Sequence, residues 1–397
     1  MQPFDLSAYP YTSSRPVMLG SRAVATSQPL AAATGAEILL AGGNAVDAAI
    51  AMAIDLTIVE PTSNGLGSDA FALVWDGELH GLNASGKSPQ AFSPDMWADL
   101  EELPLHGWLA TTVPGAVSAW QTLWRRWGKL PFRRLFEPAI RHAENGFPVS
   151  PITARNWQKQ ATDYLSLDGE AHKSFRACFF PNDRAPRPGE IWRCPEQADT
   201  LRELATTEGE SFYRGKLAER LVAFSEATGG VFSLDDLRNH QAEWVDPIST
   251  TYRGLTVSEL PPNGQGIAAL MALNIVEGFD LGAQPRESVV NYHQQIEAMK
   301  LAFADAHRYV ADPRTMDITT AELLDKAYAA QRRDLIGDRA IPLAEPGLPK
   351  GGTVYLAAAD DELMVSFIQS NFMGFGSGIA IPGTGIALQN RGSGFVL

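Results

Sequence analysis

The sequence predicts a mixed α/β domain in which helices cover sheets. Three observations carry that expectation. Two Ala- and Leu-rich segments follow one another in "SQPLAAATGAEILLAGGNAVDAAIAMAIDL" with helix start and stop signals. "AFALVWDGELHGLNAS" alternates apolar and polar residues around Asp76-Gly77, a hairpin pattern. A further alternating pair, "TVYLAAAD" and "LMVSFIQS", flanks a turn at Asp361-Glu362.

The elements follow in chain order. The first helix is expected to be capped by Ser27 and stopped by Gly42-Gly43, and the second to start from Asn44 as N-cap. Both carry apolar residues on more than one face, which suits helices packed on a sheet. From Val113 to Ala330 the chain reads as mostly helical, most clearly in "QTLWRRWGKLPFRRLFEPAIRHAENGFP" and "SVVNYHQQIEAMKLAFADAHRYV". Between these, "STTYRGLTVSELPPNGQG" returns to strand and turn. A Pro-rich loop, "EPGLPKGG", leads into the last hairpin, with Thr353 at its first position. No internal repeat, low-complexity tract or Ser/Gly linker marks a domain boundary, so one domain is expected.

Composition narrows the function. A formal net charge of −14 argues against nucleic acid, because a polyanion needs a basic face that this chain nowhere concentrates. The start, "MQPFDLSAYPYTSSRP", has no apolar core of a signal peptide, and "AVDAAIAMAIDLTIV" is too short and too interrupted by Asp47 and Asp55 to span a bilayer. A cytoplasmic protein without a membrane partner is expected. Cys178 and Cys194 lie 16 positions apart without metal-ligand spacing, and read as free thiols rather than a bridge. No metal site and no cofactor are expected.

The usual catalytic motifs are absent. "GFGSGIA" around Ser377 is not a nucleophile elbow, "NGQGIAAL" is not a phosphate-binding loop, and no H-E-x-x-H occurs. What stands out is Gly351-Gly352-Thr353. Two readings stay open for it: a loop closing on a strand, or a nucleophile whose preceding glycines are cut away. A threonine hydroxyl is a weak nucleophile without an adjacent base. As a new N-terminus, Thr353 would have its own α-amine for that purpose, with a pKa near about 8 that burial lowers. Attack of Thr353 Oγ on the Gly352 carbonyl, followed by hydrolysis of the ester, would free that amine, and glycine admits the bent peptide such attack requires.

The chain resembles the γ-glutamyltransferase family of self-cleaving N-terminal-nucleophile hydrolases. The likeness runs in one order from "AVATSQPLAAATGAEILLAGGNAVDAAIAMAIDLTIVEPTSNGLG" through "VPGAVSAW", "WGKLPF", "EPAIRHAENGFPVS", "FYRGKLAERL", "AEWVDPISTTYRG", "ELPPNGQGIAAL" and "IEAMKLAFAD" to "GFGSGIAIPGTGIALQN". It implies a four-layer αββα sandwich and cleavage between Gly352 and Thr353. Residues 1–352 would then form a large segment and 353–397 the start of a small one, a heterodimer of self-cleaved fragments. Family members continue well beyond "GSGF", and that continuation carries the glycine pair of the oxyanion hole.

Departures from the family pattern bear on substrate. Where the family holds a γ-glutamyl carboxylate with arginine, "ASGKSP" places Ser85. Where an acidic residue holds the α-ammonium, "LQNRGSG" places Arg391 and Gly394. A guanidinium disfavours an ammonium and suits a carboxylate. Gln369 stands where a second threonine would assist the nucleophile, and Asn371 matches the family's substrate-binding asparagine. The pattern is similar to the branch that includes oxamate amidohydrolase. The expectation is a threonine amidohydrolase acting on a small carboxylate-bearing amide, with Thr353 as nucleophile and Arg391, Asn371, Gln369 and Ser85 around the substrate. The alternatives are a γ-glutamyl transferase or hydrolase acting on glutathione-like substrates, and a truncated, non-catalytic binding protein of the same family.

Overall fold

The computed structural model describes residues 19–342 and 352–395. All but the last residue of the expected Pro-rich loop at 345–352, Gly351 included, and the signal-peptide reading of the first 16 residues lie outside the described residues. The described residues fall into two compact units. The larger takes in those of 1–78, 83–243 and 350–397, and the smaller those of 79–82 and 244–349.

In the larger unit, four antiparallel strands lie side by side in the order Ala23–Thr26, Gly352–Ala359, Met364–Phe372 and Asp69–Trp75. The expected final hairpin is present, with its second strand running on to Phe372. Its turn is set by Asp360, whose side chain accepts the Glu362 and Leu363 N–H groups while its backbone N–H reaches the Leu363 carbonyl. Side chains alternate between the faces, as a period of two requires. Val354, Leu356 and Ala358 are buried, as are Val365, Phe367 and Gln369, whereas Tyr355 and Met364 are more than half exposed.

The buried face packs on the helix Ala45–Val59, every residue of which is buried. Each fully buried Val, Leu or Ile there contributes about 1.5–3 kcal/mol. Asn44 caps this helix as expected, in a reciprocal box with Asp47. Asp47 also accepts the Lys129 and Leu130 N–H groups, and Asp360 accepts the Ala45 N–H at 2.6 Å. The helix start is thereby tied to the hairpin turn that fixes the register of Thr353.

The preceding helix, Pro29–Leu40, differs from expectation at its start. Gln28, not Ser27, supplies the cap, accepting from the Leu30 and Ala31 N–H groups. Ser27 instead donates to the Glu60 carboxylate at 2.6 Å, which draws its hydroxyl away from the helix end. Further helices, including Ala116–Trp127, Glu137–Asn145, Pro151–Leu165, Glu170–Phe179 and Pro195–Thr206, complete the unit. Asp55 on the all-buried helix accepts from Thr34 and pairs with His142, each at 2.7 Å, so a fully buried carboxylate links three helices.

His240 also belongs to this unit, buried against the Tyr213 ring. Burial, and the nearby Lys87 and Arg214 charges, push its pKa from an ordinary value of about 6.5 down to about 4. Between those values the unfolded chain binds the proton that the folded chain refuses, so stability rises with pH and is lost as pH falls from about 6.5 to 4. Relative to a His240→Phe variant, the native protein is expected to lose about 3 kcal/mol over that window. Denaturant titrations at pH 7 and pH 4 measure it; a difference independent of pH would contradict the assignment.

The smaller unit contains the expected strand return as the hairpin Ile248–Tyr252 and Leu255–Glu259. Arg253 and Gly254 both have positive φ, +48° and +83°, the backbone of a two-residue hairpin turn. Helices Gly266–Val276, Val289–Tyr309 and Lys326–Arg333 pack around Ile267, Met271, Ile275, Ala298 and Leu301. Among the described residues no helix is long and apolar enough to cross a membrane.

Candidate active site

Counting outward from the turn at residues 360–363 brings Thr353 opposite Ser370. Their hydroxyl oxygens lie 2.9 Å apart, and Ser370 Oγ accepts the Phe372 N–H at 2.8 Å. On its other side Ser370 pairs with Asp69. Thr353, Ser370 and Asp69 therefore form one row across three strands, on the face away from the buried helix. Adjacent strands are separated by about 4.8 Å, so the ends of that row are about 10 Å apart.

Ladder regularity stops at this row. Ser370 pairs with Thr353 but Phe372 pairs with Gly352, leaving Asn371 as the extra residue of a bulge. Phe372 takes a φ of +75°, a left-handed conformation that costs a bulky residue about 1–2 kcal/mol. The bulge is held from outside the hairpin, by Asn371 N–H on the Ser63 carbonyl and by Asn390 N–H on the Asn371 carbonyl. It turns the Asn371 side chain toward the loop before Asp69, where Asn371 Oδ1 accepts from Ser68 Oγ at 2.8 Å. The buried Asn371 amide nitrogen has no acceptor among the described residues. A buried donor left unpaired costs about 1–3 kcal/mol, so this group is poised to receive an oxygen.

Arg391 opens a short turn, Arg391–Gly394. Its Nε and Nη2 both donate to Asp69 Oδ2, at 2.6 and 2.5 Å, and its guanidinium lies over the Phe372 ring, 4.5 Å from the centroid. Gly394 leaves room beside the same ring. Asp69 is fully buried, and its other oxygen has no donor among the described residues. Burial pushes the Asp69 carboxyl above its ordinary pKa, against the pull of the Arg391 charge. About a third of the Arg391 side chain remains exposed.

The structure thus brings Thr353, Asn371 and Arg391 to one end of the sheet, but it places Gln369 differently. Gln369 pairs with Val354, one step out of phase with Thr353, and faces the buried helix. There its Oε1 accepts from Trp120 Nε1 at 3.0 Å and its Nε2 donates to Asn64 Oδ1 at 2.8 Å. The hydroxyl beside Thr353 is that of Ser370. Ser85 is half-buried, and its carbonyl accepts from Gln389 Nε2 at 3.4 Å, which links it to the segment that leads into Arg391. Gly352 pairs with Phe372 at the start of the Thr353 strand.

Sequence reasoning missed Ser370 and Asp69. The turn position alone carries the signal for Ser370, because counting back from it pairs the two hydroxyls. Asp69 has no comparable signal, since its place depends on which strand lies beside the hairpin. Among the described residues no group of three or more His, Cys, Asp or Glu side chains is placed to hold a metal ion.

Comparison with known proteins adds four findings. A sequence model described as Gamma-glutamyltranspeptidase matches residues 31–397. The chain is 39% identical over 373 residues to the glutathione hydrolase-like YwrD proenzyme of Bacillus subtilis, covering 93% of this chain and 70% of that protein. It is 34% identical over 377 residues to the oxamate amidohydrolase proenzyme of Klebsiella pneumoniae, with the same two coverages. Among solved structures, the cephalosporin acylase from Bacillus halodurans superposes with a TM-score of 0.93 at 51% identity, covering 99% of this chain and 74% of that one.

Proposed function

Because the chain belongs to the gamma-glutamyltranspeptidase family and is an enzyme of that hydrolase and transferase kind, we propose that it is a self-processing threonine amidohydrolase for small carboxylate-bearing amides. Its fold is the expected one, an α/β sandwich of the N-terminal-nucleophile hydrolases. The observation that carries the proposal is the row formed by Thr353, Ser370 and the Asp69–Arg391 pair, which sets a hydroxyl pair beside a buried carboxylate that holds a guanidinium.

Processing begins with Thr353 Oγ attacking the Gly352 carbonyl carbon, which moves the acyl group from nitrogen to oxygen. Water then hydrolyses the ester, leaving a Gly352 carboxylate and a Thr353 α-amine. In turnover that amine takes the Thr353 hydroxyl proton as Oγ attacks the substrate carbonyl, and returns it to the departing nitrogen. Ammonia or an amine leaves and acyl-Thr353 remains. Water, deprotonated by the same amine, cleaves the ester and regenerates the hydroxyl. The Arg391 guanidinium anchors the substrate carboxylate through the donors that Asp69 leaves unused, and the Asn371 amide donates to a second substrate oxygen. The names of the two curated relatives call both of them proenzymes, which supports the processing step.

Ser370 assists Thr353. With the Phe372 N–H on one lone pair, Ser370 Oγ steers the threonine hydroxyl along the strand-to-strand direction. Ser370→Ala is expected to lower kcat for oxamate hydrolysis by about 10²-fold with little change in KM, and Ser370→Thr to restore much of it. A kcat unchanged in Ser370→Ala would remove the serine from the reaction.

A second reading takes γ-glutamyl compounds as substrates. It is favoured by Asp69, an acidic group beside Arg391 with one unpaired oxygen, which suits a head group carrying both ammonium and carboxylate. Turnover of oxamate and of a γ-glutamyl anilide by the same purified protein separates the two. Faster release from the anilide overturns the amide assignment. An uncut chain, by intact mass, that hydrolyses neither overturns both.

A further inference from the structure

We propose that Cys178 and Cys194 form a modification site, a dithiol that hydrogen peroxide closes into a disulfide. The site is independent of the hydrolytic one. Cys178 lies in the last turn of the helix Glu170–Phe179, and Cys194 is the residue immediately before the helix Pro195–Thr206. Their sulfur atoms are 3.4 Å apart, against about 2.0 Å in a disulfide, a gap that small side-chain rotations close. They are the chain's two cysteines.

Chemistry distinguishes the two thiols. Cys194 is nine-tenths buried or more, shares a hydrogen bond with the Cys178 thiol, and sits at a helix N-terminus with the Gln197 N–H nearby. These contacts favour its thiolate and hold its pKa below the ordinary value, although burial and Glu196 work the other way. The same hydrogen bond, together with burial, pushes the Cys178 thiol well above its ordinary value. Its place at the helix N-terminus, with the Gln197 N–H beside it, makes Cys194 the attacking sulfur and Cys178 the resolving one.

The reaction balances with peroxide as the oxidant. The Cys194 thiolate attacks one peroxide oxygen, an S–O bond forms, the O–O bond breaks, and the departing hydroxide takes a proton to become water. Cys178 then loses its proton and attacks the Cys194 sulfur. The S–S bond forms, the S–O bond breaks, and a second water leaves. The two sulfurs give up two electrons and the peroxide accepts them. A thiol or phosphine reverses the step.

Closure has a structural consequence near the candidate site. The first helix is joined to the Gly378 carbonyl through His172 at 2.7 Å, and the second is joined to the Thr384 carbonyl through Thr200, which donates to it at 2.8 Å. A Cβ on Gly385 would lie 3.1 Å from Cys194 Sγ, so the sulfur packs directly under the turn between Ala380–Ile381 and Ile386–Ala387. A bridge between the cysteines ties together both supports of the hairpin that leads to Arg391.

The test treats the purified full chain with hydrogen peroxide and counts thiols after denaturation. Both thiols are expected to disappear, the peptide pair holding Cys178 and Cys194 to lose two hydrogen masses, no cross-linked species to appear on a non-reducing gel, and the thermal midpoint to rise by a few degrees and return on reduction. In Cys178→Ser the reaction should stop at a Cys194 sulfenic acid that dimedone traps, whereas Cys194→Ser should leave Cys178 unreacted. Two thiols still titratable in the treated native protein, or cross-links only between chains, overturn the proposal. Thr353→Ala protein should close the bridge equally well, so the outcome does not depend on the hydrolase reading.

Discussion

Thr353→Ala is expected to leave the chain as one uncut polypeptide and to lower amide hydrolysis on the order of 10⁴-fold or more, as loss of a covalent nucleophile does elsewhere. Alanine keeps the Cβ and the strand conformation, so the register with Ser370 and the buried face formed by Val354 and Leu356 should survive. The two losses have one cause. The hydroxyl that attacks Gly352 is the hydroxyl that attacks substrate, and its α-amine does not exist until the first attack succeeds. Intact-mass measurement reads the first loss and ammonia release from oxamate the second. Two fragments divided before residue 353 in the variant would refute the assignment. Thr353→Ser, which retains the hydroxyl, should process and turn over.

Arg391→Ala is expected to raise KM for carboxylate-bearing amides by at least about tenfold, the value of one charge-assisted hydrogen bond. It should also cost stability. Asp69 is fully buried, and removal of its partner strands the carboxylate in the interior. Breaking such a pair costs about 3–5 kcal/mol, with the lower end apt here because a third of the Arg391 side chain reaches solvent. The double change Asp69→Asn with Arg391→Gln separates the effects: neutral amides can hydrogen-bond where the ion pair stood, restoring stability, but no cation remains for substrate. KM should stay high in that variant while the unfolding midpoint recovers. A KM unaffected in both variants would remove Arg391 from substrate binding.

Local signals in the chain were reliable where neighbours in sequence decide the outcome. Asn44 with Asp47 three residues on is a reciprocal cap because those side chains reach only one helical turn. The last hairpin was legible because its alternation and its acidic turn are both short-range. Ser27 shows the limit: its hydroxyl could cap a helix or pair with a distant carboxylate, and Glu60 decided it. Gln369 shows the same limit in the candidate site. In a strand a shift of one residue reverses the face, so matching it by position to an assisting threonine could not say whether it points toward Thr353 or toward Trp120.

By itself, the sequence determined the α/β class, the two leading helices, the last hairpin and the Gly-Gly-Thr junction that opens it, all properties of contiguous residues. Only the tertiary structure decided that Ser370 faces Thr353 across the hairpin, that Asp69 completes the row, and that Arg391 is clamped between a buried carboxylate and the Phe372 ring. The reason is distance along the chain. Asp69 and Arg391 are more than three hundred positions apart, and nothing short of strand order and a bulge brings such residues within hydrogen-bonding reach.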